Sequence, residues 1–175
     1  DSVEIDELNF PLLVHERRLV PDTEGAGRHR GAPGCRMLLG TNGADVRMMY
    51  ASDGTQNAAQ GVRGGAAGAN ASQWIERSDG RVEELPGVGD FVLSPGDVVV
   101  CDTCGGGGYG SPLERDPARV RRDVAAGLVS RERARLIYGV ALDHDGAIDE
   151  AATSGLRQKS GQPAQSLDMT NGAAP

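Results

Sequence analysis

Apolar residues in this chain come in short bursts rather than long helical stripes. Residues 10–20, FPLLVHERRLV, open as a compact apolar run and then turn mixed, which predicts a strand emerging from a core. Residues 35–39 and 46–50 are two further short strand candidates, and Asn42-Gly43 between them predicts a hairpin. A second hairpin is predicted for residues 73–77 and 81–85 across Ser78-Asp79-Gly80, and a proline-glycine turn separates Phe91–Leu93 from Val98–Cys101. Strands this short, with a turn every 8–12 residues or so, predict a sandwich or barrel-like sheet and not βαβ units.

The pattern changes at Pro112. Over residues 116–138 the spacing predicts two short helices. Asp116 caps the first with Pro117 at its opening position, Val120 and Val124 share a face, and Gly127 closes it. Ser130 caps the second, with Ala134 and Tyr138 one turn apart. Residues 139–142 are expected to return to the sheet as a strand. The fold class expected is therefore mainly β with a C-terminal helical segment, α+β. From Asp143 the periodicity stops, so residues 1–142 are expected to form the domain, and residues 143–175 a polar tail, disordered or extended on a partner.

Composition sharpens this division. Val, Ile, Leu and Phe supply 35 of 175 residues, but only Ile148, Leu156 and Leu167 lie beyond residue 142. Gly and Pro also total 35, which favours turns over helices. So lean an apolar set, and a chain opening on Asp1, suggest a processed chain or a piece of something larger whose core is completed by a partner. Expressed alone, residues 1–142 are expected to be marginally stable or insoluble. The net charge of −7 argues against a nucleic-acid partner. No apolar run approaches the roughly 18 residues that span a bilayer, so no membrane role is expected. Three cysteines are too few and too odd for a disulfide scaffold and fit a reducing cytoplasm.

Cys101 and Cys104 form a C-x-x-C. Zinc would need a second ligand pair, which Cys35, His15, His29 and His144 do not supply, and a redox pair should open a helix, which the following four glycines disfavour. Two small residues ending a buried strand is the simpler reading. The run Gly105-Gly106-Gly107-Gly108-Tyr109-Gly110 lacks the ending of a P-loop and no helix pattern follows it directly. It can line an active site with backbone N–H groups, or it can be glycine because another backbone passes too close for a Cβ. Arg28 and Arg30 flank His29 in a glycine-rich loop and could grip an anion or a partner carboxylate, or stand solvated. The candidates for contact with substrate or partner are therefore Arg28, Arg30, Gly105, Gly106, Gly107, Gly108 and Tyr109. No catalytic residue is assignable and no metal site is expected.

The order of motifs says more than any one of them. PLLVHERRLVPDTEGAGRHRGAPG, then GVRGGAAG, LSPGDVVV and GGGGYGSPLERDPARVRRDVAAGLVSRERARLIYGV, resembles the C-terminal part of the hydantoinase B/oxoprolinase family from about Glu7 to Val140. It departs from that pattern at Thr23-Glu24, where Ser-Gly is usual, at Ala32-Pro33, which interrupts a Gly-Gly, and at Ser111, where Asp is common. The resemblance implies a small subunit or C-terminal fragment of an ATP-dependent amidohydrolase that opens a hydantoin, lactam or 5-oxoproline ring. The alternatives it implies are a subunit of an ATP-dependent ketone carboxylase of the acetone or acetophenone type, or a non-catalytic assembly module. The partners implied are a larger hydantoinase B-type N-terminal chain and a hydantoinase A-type ATP-binding subunit. ATP and a divalent metal would be bound mainly by those chains and none by this one, which would be inactive alone.

Overall fold

A computed structural model of the chain describes residues 2–160. Helix α1 (Val3–Asn9) is followed by strands β1 (Leu12–Leu19), β2 (Cys35–Thr41), β3 (Val46–Ala51), β4 (Ser72–Glu76), β5 (Val82–Glu84), β6 (Val88–Leu93) and β7 (Val98–Asp102), and then by helices α2 (Pro117–Ala125), α3 (Arg131–Leu136) and α4 (Glu150–Ser160). Five strands form one sheet in the order β1-β2-β7-β4-β5, and β3 and β6 form a two-stranded layer; every named pairing is antiparallel. This is the expected mainly β, α+β architecture. Among the described residues no helix is long and apolar enough to cross a membrane.

The two layers meet through alternate side chains, as a pleated strand requires. Ile75, Leu93 and Val99 are fully buried between them, with Leu39, Met48, Leu85 and Phe91 packed around. On the five-stranded sheet Arg36 donates to both oxygens of Asp102 on the neighbouring strand, at 2.7 and 2.5 Å, and its guanidinium lies 5.4 Å from the Trp74 ring centre. The β4–β5 hairpin forms where expected, closed by Arg77 N–H donating to Arg81 O at 2.8 Å.

The hairpin expected between residues 35–39 and 46–50 does not form: β2 pairs with β1 and β7, and β3 with β6. Gly43 takes a φ of 78°, so the turn is there, but it carries the chain from one layer to the other. Leu39 and Met48 then face the same core from opposite sheets, which side-by-side pairing would forbid. Pro95-Gly96 makes a second crossing, from β6 to β7.

A second core lies under the helices. Ala26, Val120, Val129, Ala134, Tyr138 and Val140 are buried together. Asp116 Oδ1 accepts from Ala118 N–H at 2.8 Å and Ser130 Oγ from Arg133 N–H at 3.0 Å, the two caps expected. Residues 139–142 do not rejoin the sheet. Gly139 has a φ of 61°, which breaks extended geometry, and Val140 N–H donates to Ala134 O at the end of α3 instead. Residues 150–160 form α4 instead of the expected disordered or extended arm. Thr153 Oγ1 accepts from Ala141 N–H, and Arg157 Nη2 donates to Arg115 O at 2.6 Å and Tyr138 O at 3.2 Å. These are anchors between side chain and backbone, which hydrophobic periodicity does not register. The rest of the predicted tail, 161–175, lies outside the described residues.

Candidate functional site: a glycine framework with a cationic tip

Three glycine-rich stretches, 23–34, 58–69 and 104–110, lie side by side, each hydrogen-bonded through its backbone to the other two. Gly25 N–H donates to Gly106 O and Gly106 N–H to Ala32 O; Ala66 N–H donates to Ala26 O; Gly108 N–H donates to Ala66 O and Gly105 N–H to Ala69 O, all at 2.7 to 3.0 Å. A Cβ on Gly25, Gly31, Gly65, Gly68, Gly105, Gly107 or Gly108 would come closer than 3.0 Å to a backbone atom of a neighbouring stretch. Glycine is present because the backbones touch. The N–H groups of Gly105, Gly106 and Gly108 are spent on these bonds, and Gly105 and Gly108 are buried.

One end of this framework carries an exposed cluster. Tyr109 pairs with His29 and with Val62 through single backbone bridges, with His29 N–H donating to Tyr109 O and Tyr109 N–H to His29 O. The His29 and Tyr109 rings lie 6.1 Å apart, and the Arg63 guanidinium sits 5.7 Å from the Tyr109 ring centre. Arg28 folds over Gly110, the next residue, and its Nη1 is 4.0 Å from Glu114 Oε2. Both partners are half exposed, so that pair contributes little.

Arg30 is not part of the tip. It turns inward, with Nε 3.0 Å from Asp123 Oδ1 but off the axis of a directed hydrogen bond. Arg115 holds the other oxygen, donating from Nε at 3.2 Å and Nη2 at 2.8 Å, while its Nη1 donates to Arg28 O at 3.1 Å. Asp123 on α2 thus ties the loop carrying Arg28 and Arg30 to the helices. Glu24 is a second buried tie: its Oε1 accepts from Arg133 Nε and from the Tyr138 hydroxyl, both at 2.8 Å. Burial, then the charge of Glu24 and that hydrogen bond, push the Tyr138 hydroxyl far above its ordinary pKa, so it stays a proton donor.

Cys101 and Cys104 both line a cavity of about 270 Å³ between the two sheets, with Met48, Tyr50, Gln73 and Phe91. The ladder continues past β7, where Thr103 N–H donates to Cys35 O, so the two cysteines are spaced along extended chain. Three residues at strand rise separate their Cα atoms by about 10 Å, beyond disulfide reach. Burial, then the charge of Asp102, push the Cys101 thiol up, away from the reactive thiolate. Asp143, His144 and Asp145 place ligand atoms within 4.8 Å of one another on an exposed loop, where Asp143 Oδ1 already accepts from the backbone of Asp145 and Ala147.

Of the residues the sequence singles out, the fold brings Arg28 and Tyr109 to this tip, and it adds Arg63, Asp123 and Glu24, which the sequence does not single out as contact residues. Arg63 has a signal in Val-Arg-Gly-Gly, a turn sequence with a cation at its apex, whereas the pairings Arg30–Asp123 and Glu24–Arg133 span 93 and 109 residues and leave no local trace.

Comparison with known proteins gives a consistent set. The family model for hydantoinase B/oxoprolinase matches residues 1–112. The chain is 37% identical over 165 residues to the caprolactamase subunit beta of Pseudomonas jessenii, covering 89% of this chain and 28% of that one. It is 31% identical over 188 residues to the acetophenone carboxylase delta subunit of Aromatoleum aromaticum, again covering 89% of this chain and 28% of the relative. The solved structure of the ATP-dependent caprolactamase from Pseudomonas jessenii superposes with a TM-score of 0.75 at 32% identity, over 90% of this chain and 28% of that chain. The chain thus spans little more than a quarter of the length of the relatives it matches.

Proposed function

The chain belongs to the hydantoinase B/oxoprolinase family, and on that footing we propose that it works as part of an ATP-dependent amidohydrolase opening a cyclic amide or imide of the hydantoin, lactam or 5-oxoproline type. The observation that carries this is the match to a caprolactamase beta subunit and to the solved caprolactamase over nine-tenths of the chain. In this reading the glycine framework is a rigid strut. It presents Tyr109, Arg28 and Arg63 at a fixed place toward the rest of the enzyme, where a substrate or partner group can meet them.

ATP and the divalent metal belong, in the same reading, to the larger B-type region and to an A-type partner. No group on this chain is assigned to either. Bond cleavage therefore takes place in the assembled enzyme, and this chain alone is inactive.

The test supplies ATP, a divalent metal and a set of lactams, hydantoins and 5-oxoproline to the chain assembled with B-type and A-type partners. Ring-opened product should appear with ADP, without bicarbonate, and not at all from the chain alone. ATP consumption that requires bicarbonate and a ketone, with every ring left closed, would transfer the assignment to the carboxylases.

A further inference from the structure

Arg63 combines three features that its neighbours lack. Its φ is 52°, followed by 87° at Gly64, with Gly65 N–H donating to Val62 O at 3.1 Å; this is a two-residue turn in which both central positions are left-handed. An arginine is strained there and a glycine would not be. Its guanidinium lies over Tyr109 and makes no hydrogen bond or ion pair among the described residues. The turn itself is bonded to the glycine framework through Val62 N–H to Gly108 O and Gly110 N–H to Val62 O, both at 2.9 Å, so the arginine cannot swing away with a loose loop.

A strained backbone, a stacked cation and an unspent planar donor fork, all on a rigid support, are what recognition of an anion requires. We propose that Arg63, with Arg28 over the adjacent Gly110, forms a binding site for a phosphoryl or carboxylate group, and that Tyr109 positions the Arg63 guanidinium. The site deepens the amidohydrolase reading, which supplies the source of the anion: phosphorylated substrate or ring-opened acid.

Arginine-specific labelling with phenylglyoxal, read residue by residue by mass spectrometry on the full chain, tests the site without turnover. Its failure is therefore separable from failure of the amidohydrolase assignment. Inorganic phosphate at about four times its dissociation constant should slow modification of Arg63 and Arg28 about fivefold, while the exposed Arg119 and Arg121 on α2 are modified as before. Protection by acetate and not by phosphate would support the site with a carboxylate as its ligand. No protection beyond that of Arg119 and Arg121 by either anion would overturn it. In Arg63→Gly, which relieves the backbone, the melting temperature should hold or rise while phosphate protection of Arg28 disappears; undiminished protection of Arg28 would remove Arg63 from the site.

Discussion

Gly108→Ala should destabilise the chain by about 3 kcal/mol or more, the upper end of what an added methyl group costs in a packed interior. A Cβ at residue 108 would run into the Ala26 carbonyl, with the Gly25 carbonyl also at 2.7 Å. Neither can yield easily, because Gly108 is bonded twice to the 58–69 stretch, its N–H to Ala66 O and its carbonyl from Val62 N–H, each at 2.9 Å, while Ala26 O is itself held by Ala66 N–H at 2.8 Å. Making room opens several backbone bonds at once. With only about 5–15 kcal/mol of stability to lose, much of the population should unfold at modest urea. Gly155→Ala is the internal control. It lies in α4 with open space around it, so the helix preference for alanine should raise stability by up to about 1 kcal/mol. Equal urea midpoints for the two variants would show that the stretches are not packed as described.

Asp123→Ala should cost about 3–5 kcal/mol, the usual consequence of removing one partner from a buried ion pair. Arg115 is only 7% exposed and would keep a single acceptor, Arg28 O, for its full charge. Arg30 would lose its carboxylate as well. The loss reaches the tip, because Arg115 fixes the backbone of Arg28. Replacing Arg115 and Asp123 together with apolar residues of similar size should recover part of the stability, since the buried Arg115 charge is then gone while Arg30 is still without its carboxylate. Thermal melts of the single and double variants check both statements. A single variant within about 1 kcal/mol of the parent would mean that the pair is solvated.

How much of this was legible depends on the range of the interaction. The caps Asp116 and Ser130, the stop at Gly127 and the β4–β5 hairpin are local, and all are where the sequence puts them. Asn42-Gly43 also makes its turn, but which strand each flank pairs with depends on the core that Leu39 and Met48 share from opposite layers, which no local signal encodes. Helix α4 was missed because its anchors are Thr153 and Arg157, polar residues tied to backbone carbonyls and amides rather than an apolar stripe. The glycine run offered two readings, and the spacing of neighbouring chains decides between them. Gly105–Gly108 are glycine because Thr23, Ala32, Gln60 and Ala26 lie against them. Arg30, which read like Arg28, differs from it only through Asp123, far along the chain.

The central claim is that the glycine-rich stretches are a bonded interior frame and not mobile loops, and amide hydrogen exchange on the folded chain measures that directly. The N–H groups of Ala66, Gly106, Gly108 and Tyr109 should exchange only through the largest openings, as slowly as those at the centre of β7 and far more slowly than residues 43–45. Exchange of those four amides at the rate of residues 43–45 would contradict the account.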